Sequence, residues 1–420
     1  MPINRYEDEG IARYWNNKYG EIYHPYLHGR QQKVLDIIAD LNLPTGSSCL
    51  ELGTGGGQNA IKYAELGLHV HGVDSSDELL KTLIPKGWFL PVSPGTKFVT
   101  LGGMVASDVH GKNHHLEGSF GDHLISLKIK ISNSEVIYCS DDFNSDLFWA
   151  TIGGMGLTGI ILEIKFKLKK ISSYKINQEV TITQNLEEVM SLFEKYKNST
   201  YTVAWIDCLS KGSLFGRSVF FRGEHKLSQG KISYNPKYIL RIPFFFPSWI
   251  LNYFSIKLFN YFYFYSNKFF TKKEVDGDSF FYPLDKISQW NKIYGKNGFI
   301  QYQFVVDKAR SKAAMKEVLE AISKSGQGSF LAVLKLFGKQ NIKAFNSFPI
   351  EGYTLALDFK LNKKVLQLIP ILDAIILKYE GRIYRAKDSC SNPKLTNYVT
   401  AHNPKFDSIQ NKRIKSHKTI

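Results

Sequence analysis

The chain is short of cysteine, of acid and of long apolar runs. Its four cysteines, Cys49, Cys139, Cys208 and Cys390, stand far apart and form no Cys-x-x-Cys pair. That excludes a disulfide framework and a structural zinc, and fits a reducing compartment. Asp and Glu number 38 against 54 Lys and Arg, a net charge of +16. The excess points to anionic company, a phosphorylated ligand or an acidic membrane face, although scattered lysines also serve solubility. Lys/Arg blocks and zinc-finger, RNA-recognition or helix-turn-helix patterns are missing, so nucleic acid is not an expected partner. No apolar run reaches the roughly 18 residues of a membrane span. The opening MPINRYEDEGIARYW lacks the apolar core of a signal peptide. The expected location is cytoplasmic, at most peripheral to the inner membrane face. There is no internal repeat. With 43% hydrophobic and 22% charged residues over 420 positions, the chain has room for two or three folded domains.

What is present falls into three textures. Over residues 1–80, RQQKVLDIIADLNLP has helical spacing. SSCLELGTGGG reads as a buried strand entering a glycine loop, QNAIKYAELG as a helix and LHVHGVD as a second strand. This is α/β, a partial Rossmann-like β-α-β segment. Residues 81–173 are α+β, dense in glycine and histidine. There LISLKIKISN and GIILEIKFKLKKI alternate apolar with polar residues, the mark of half-buried antiparallel strands. Over 174–420, the strands GFIQYQFVV, SFLAVLKLF and YTLALDFKL and the helices NLEEVMSLFEKYKN, SKAAMKEVLEAISKSG and VLQLIPILDAIILKYEG predict an antiparallel sheet covered by helices. Inside that third part lies an aromatic segment, 239–270.

Two stretches carry chemistry. In ELGTGGG, glycines alternate straight after a strand, which lets the backbone approach a ligand at a helix N-terminus. Asp74 ends the next strand, where a ribose-binding carboxylate would sit. The pattern resembles class I S-adenosylmethionine-dependent methyltransferases. That resemblance implies that Glu51, Gly53, Gly55 and Asp74 contact the cofactor. It covers only about residues 10–80 and no later methyltransferase motif follows, so a folded nucleotide-binding fragment without catalysis is the alternative.

The second stretch, PGTKFVTLGGMVASDVHGKNHHLEGSFGDH, residues 94–123, combines glycines, among them Gly95, Gly102, Gly103, Gly111 and Gly118, with short hydroxyls, imidazoles and the ammonium of Lys112. Metal ligation is not expected, because no carboxylate or cysteine is suitably spaced. For His114 and His115 we expect buried imidazoles tied to backbone. The stretch closely resembles the PCMH-type FAD domain of vanillyl-alcohol-oxidase-type enzymes, and more narrowly the decaprenylphosphoryl-β-D-ribose 2'-oxidase family. The likeness runs from about Asp77 to about Lys412 through AWIDC, FYPLDKISQWNKIYGKNGFIQYQFV, FLAVLKLFG, SFPIEGYTLALDF and EGRIYRAKDS.

It implies an FAD-dependent oxidation of a secondary sugar hydroxyl, on a lipid-linked or phosphorylated pentose, by hydride transfer to flavin N5, with a reductase partner. It implies FAD contacts at Pro94, Gly95, Thr96, Thr100, Gly102, Gly103, Ser107, Gly111, Asn113, Gly156, Thr158, Gly159, Ile160 and Tyr384. Lys387 and His110 take the catalytic places. Lys112, Trp205, Phe281, Leu284, Gln301, Gln303, Lys335 and Thr354 line the substrate pocket. A lysine in a desolvated site serves as base or electrostatic anchor, and glutamines orient sugar hydroxyls. The alternative for Lys335 and Lys387 is ordinary surface lysine.

Three departures stand out. Ala356 occupies a pocket position that is cysteine in the mycobacterial form of the family. The family's first FAD lobe is expected before residue 77, where the methyltransferase-like segment stands instead. PKFDSIQNKRIKSHKTI begins like the family's last helix and then loses the pattern. In GVDSSDELLKTLIPKGWFLPVSPGT the two likenesses overlap, since Ser and Asp cap a helix in either setting. A seam at 74–80 and a chimeric chain follow from that reading, with a methyltransferase or a catalytically defective fusion as alternatives. The aromatic segment, with Phe254, Leu258 and Phe262 beside Lys257 and Lys268, fits a membrane-interface helix or an interdomain helix; Pro243 and Pro247 break its first part.

Overall fold

The computed structural model describes residues 48–52, 69–73 and 76–396, apart from 133, 237–238, 248, 270 and 388–391. Ser48–Leu52 and His69–Val73 pair in parallel, with Cys49 opposite Val70. The helices expected over 30–44 and 58–67 lie outside the described residues, as do Gly53, Gly55 and Asp74. The Rossmann-like reading therefore goes no further than this strand pair. The Ser/Asp-rich stretch does form a helix, Ser76–Leu83.

The glycine- and histidine-rich part folds as expected from its alternation. Leu124–Lys130 is the middle strand of a three-stranded antiparallel sheet, between Val136–Ser140 and Ile160–Phe166. Leu127, Ile129 and Cys139 turn inward onto Phe148 and Trp149 of the helix Ser145–Thr151. Thr100 caps the short helix Leu101–Ala106, its hydroxyl accepting from the Gly103 N–H at 2.8 Å.

The rest is dominated by one eight-stranded sheet in which every neighbouring pair is antiparallel. In spatial order its strands are Lys272–Asp276, Lys175–Thr183, Ser218–His225, Tyr201–Ile206, Ala332–Phe337, Gly352–Lys360, Phe299–Asp307 and Arg382–Ile383. The period-2 pattern gives its two faces different chemistry. One is apolar: Leu334, Leu336, Leu355, Leu357, Tyr302 and Phe304 are buried with residues of the helices Leu186–Lys195, Lys308–Ser325 and Lys363–Lys378. The other face of the same strands carries Trp205, Val333, Lys335, Gln301, Gln303, Thr354, Ala356 and Asp358. Register sets them side by side: Gln303 opposite Ala356, Gln301 opposite Asp358, Lys335 opposite Thr354 and Val333 opposite Trp205.

A second core spans the boundary expected at 173/174. Phe89 meets Phe281 at 5.0 Å between ring centres, and Phe281 meets Tyr201 at 4.9 Å. Beside them the buried pair Lys97–Asp278 closes at 2.9 Å, and the Tyr174 hydroxyl donates to Asp278 at 2.7 Å. The aromatic segment becomes helical only after its prolines, as Tyr253–Ser266, capped by Asn252 and Ser255 in a reciprocal box.

Candidate active site

The polar sheet face meets the glycine-rich half at His110. The hydrogen bonds there run in one direction. Thr354 donates to the Phe304 carbonyl at 2.7 Å, so its oxygen accepts from Gln303 Nε2 at 3.1 Å. The second Gln303 Nε2 proton is directed at His110 Nε2, 2.9 Å away. His110 must then carry its proton on Nδ1, because a neutral imidazole has one donor and one acceptor. Burial, and then the charge of Lys335, hold His110 well below the usual histidine range, so it is neutral. Its Nδ1 is buried and has no partner among the described residues. The ring is fixed on other sides by Phe337, Phe348 and Tyr384, at 4.8, 5.6 and 5.0 Å between centres. A buried, unsatisfied, rigidly held donor is costly unless a ligand accepts from it.

Three lysines belong to the same site. Burial lowers Lys335 to about 7, helped by the charges of Lys387 and Lys112. Burial alone lowers Lys112 to about 7, while its Nζ donates to the Phe280 carbonyl and lies 4.8 Å from the Phe280 ring centre. Lys387, in the turn Arg385–Lys387, is lowered by burial and drawn partly back by Asp358. Asp358 was missed in the sequence. It accepts from Gln301 Nε2 at 3.0 Å, and burial raises it to about 6. Its Oδ2 has no hydrogen-bond partner among the described residues. An acid on the same face of YTLALDFKL as Thr354 and Ala356 is the signal that would have found it.

The remaining expected residues divide. Among the described residues, Cβ atoms on Gly95, Gly102 or Gly156 would meet no atom within 4 Å, and Gly156 has φ +75°, so these three leave room on their side of the backbone. Tyr384 donates to the Ser107 carbonyl at 3.0 Å, which ties the sheet to the end of the Leu101–Ala106 helix. Other side chains have structural partners. Thr96 donates to Asp285 at 2.8 Å, Asn113 to the Pro91 carbonyl at 2.8 Å, and Thr158 pairs with Thr151 at 2.9 Å. Cβ atoms on Gly103, Gly111 and Gly159 would strike Thr100, Asn113 and the Lys130 carbonyl. Ile160 begins an outer strand and is exposed. Phe281 is buried in the second core, Leu284 is half-buried beside it, and Trp205 donates to the Phe330 carbonyl at 2.8 Å. His114 Nδ1 accepts from the Gly338 N–H at 3.2 Å, and His115 Nε2 lies 2.8 Å from the Ser199 carbonyl, both backbone partners as expected. Glu51 is in the first strand, Ser48–Leu52.

The open glycine wall, the orphaned His110 donor and the cationic rim fit a planar, anionic dinucleotide. The comparisons agree. A family model described as an FAD binding domain matches residues 55–140. Its match begins inside the segment for which a methyltransferase was one reading. None of these findings supports S-adenosylmethionine at Glu51, Gly53, Gly55 and Asp74. Decaprenylphosphoryl-beta-D-ribose oxidase of Mycolicibacterium smegmatis is 36% identical over 345 residues, 79% of this chain and 75% of that protein. An uncharacterized protein in the mprA 5' region of Streptomyces coelicolor is 34% identical over 148 residues, 35% of this chain and 40% of its own length. The mitochondrial cytochrome D-lactate dehydrogenase of Arabidopsis thaliana is 28% identical over 138 residues, 32% of this chain and 24% of that one. A chain 36% identical to one such oxidase over 345 residues, most of both lengths, and matching an FAD binding domain, belongs to an enzyme: it is a member of the FAD-dependent oxidoreductase family that includes decaprenylphosphoryl-beta-D-ribose oxidase.

Proposed function

We propose that the chain oxidises a secondary hydroxyl of a pentose carried on a polyprenyl phosphate. Bound FAD supplies the hydride acceptor. Gly95, Gly102 and Gly156 would hold the flavin by backbone approach, and His110 would donate to it from Nδ1. Lys387, with Asp358 as counter-charge, holds or accepts the hydroxyl proton. Gln301 orients the sugar; Gln303 and Thr354 keep His110 in its tautomer. Lys335 and Lys112 bind the phosphate charge. In the same reading residues 81–173 form the cofactor part and 174–420 the substrate part. The observation that carries the proposal is the Thr354–Gln303–His110 chain, which ends in a buried donor with no partner among the described residues. A homologue named for a lipid-linked ribose supports the substrate class.

The test is anaerobic addition of a polyprenyl-phosphate pentose to the purified yellow chain. Bleaching of the flavin band is expected, with the corresponding keto-sugar as product. KM should climb above pH 7, because lysines near pKa 7 are charged below that pH and neutral above it. A flavin-loaded chain that this substrate leaves oxidised would overturn the substrate assignment.

A further inference from the structure

We propose that the outward face of the aromatic helix, with the segment before it, seats on an anionic lipid leaflet. The helix Tyr253–Ser266 is anchored from one side. Ile256, Asn260 and Phe264, spaced one turn apart, are its buried stripe. Asn260 donates to Asp207 at 2.7 Å, and Phe264 lies 4.8 Å from the Arg217 guanidinium. The opposite stripe is apolar and uncovered: Phe254 is 78% exposed, Leu258 58% and Phe262 62%. Trp249 and Phe269, just before and after the helix, are 73% and 79% exposed. An exposed apolar stripe of this kind marks an interaction surface rather than ordinary scatter.

Charge decides the partner. Between Glu224 and Glu274 the chain contains no Asp or Glu, while Lys226, Lys231, Lys237, Arg241, Lys257, Lys268, Lys272 and Lys273 fall there. Lys226 and Lys272 are paired with Glu274 and Glu179, whereas Lys257 and Lys268 stand exposed beside the apolar stripe. Aromatic rings mixed with lysine and free of acid suit the headgroup level of an anionic bilayer. A second copy of the chain fits less well, because a two-fold contact would bring the Lys257 and Lys268 clusters against their own copies. Among the described residues no helix is long and apolar enough to cross a membrane, so the helix would lie flat. Tyr263, on the same helix, packs on Trp205 at 4.8 Å between ring centres, so the lipid surface would lie beside the polar sheet face. That such seating delivers a substrate rests on the proposed function; the seating itself does not.

The experiment is flotation of the flavin-loaded full chain with phosphatidylcholine vesicles, with and without phosphatidylglycerol. It is repeated with the triple variant Phe254→Ser/Leu258→Ser/Phe262→Ser, whose flavin content and melting temperature check that it folds. The wild-type chain should float on the order of tenfold more with the anionic vesicles, and the variant should lose at least about tenfold of that binding. Equal flotation of variant and wild type, or none by either, overturns the proposal. So does a dimer in solution that the variant dissociates. Flavin bleaching by substrate is scored separately on the wild-type chain: bleaching without any wild-type flotation sinks only the membrane seating, and wild-type flotation without bleaching sinks only the oxidase reading.

Discussion

At Asp358 a buried carboxylate and a half-buried lysine, Lys387, act on each other's charge. The acid is raised to about 6 by burial, and Lys387, lowered by burial, is drawn upward by it. Asp358→Asn keeps an acceptor for Gln301 and removes the charge. Lys387 then loses its counter-ion, so its proton leaves at lower pH. The limb of the turnover pH profile that reports Lys387 should move to lower pH by about one unit or more, while Asp358→Glu should restore much of it. An unmoved limb would mean that the two groups do not act together. Gly102 offers a cleaner test of the cofactor wall. An alanine there meets, among the described residues beyond its own helix, no atom within 4 Å and sits inside a helix, so the flavin-free protein should be unchanged or up to about 1 kcal/mol more stable. Weaker flavin retention in Gly102→Ala, without loss of stability, would show that the cofactor lies against this backbone. Lys335 was legible as a lysine inside an apolar strand. Asp358 gives the same signal in the next strand and went unread. Phe337 and Phe348 were illegible as neighbours of His110, because their contacts with it arise only when chain segments more than 200 residues apart fold together.

Among the elements, alternation made the strands legible wherever one face is buried. GFIQYQFVV, SFLAVLKLF and YTLALDFKL fold as Phe299–Asp307, Ala332–Phe337 and Gly352–Lys360. The helix Lys363–Lys378 continues through Pro370, which lies on its exposed side, so the carbonyl it leaves without a helical donor is on the side that faces water. Where the aromatic segment packs was not legible: its rings and aliphatics lie on every side of the helix and do not say which side turns inward, and the buried stripe includes a polar residue, Asn260. That choice is made by polar anchors outside the segment. Arg217 holds the Asp207 carboxylate at 2.9 Å, with both side chains buried, and Asp207 in turn accepts from Asn260 of the aromatic helix. Arg217→Met leaves that carboxylate buried with its ion pair broken. Unfolding in urea should show a loss of about 3–5 kcal/mol, and amide exchange over 253–266 should quicken. A loss below about 1 kcal/mol would show that the helix is held by its apolar stripe alone.

For the whole molecule, composition divides the chain at about 173, and packing does not respect the division. Phe89 belongs to the first part, while Tyr201, Phe280, Phe281 and Tyr282 belong to the second, yet they share one core. Composition sees neighbours in sequence, and this core is built from segments almost 200 positions apart, so no local pattern announces it. The shared core predicts a single cooperative transition on heating, followed together by flavin release and by tryptophan fluorescence. Two separated transitions would instead make the parts independent folding units.

Tyr201 and Phe281 cannot leave Phe89 without exposing a dry aromatic face on both sides. Cutting the gene between codons 173 and 174 should therefore yield two sticky fragments, each insoluble when made alone. Made in one cell they should find each other and recover colour, a complementation that the interleaved rings both demand and guide.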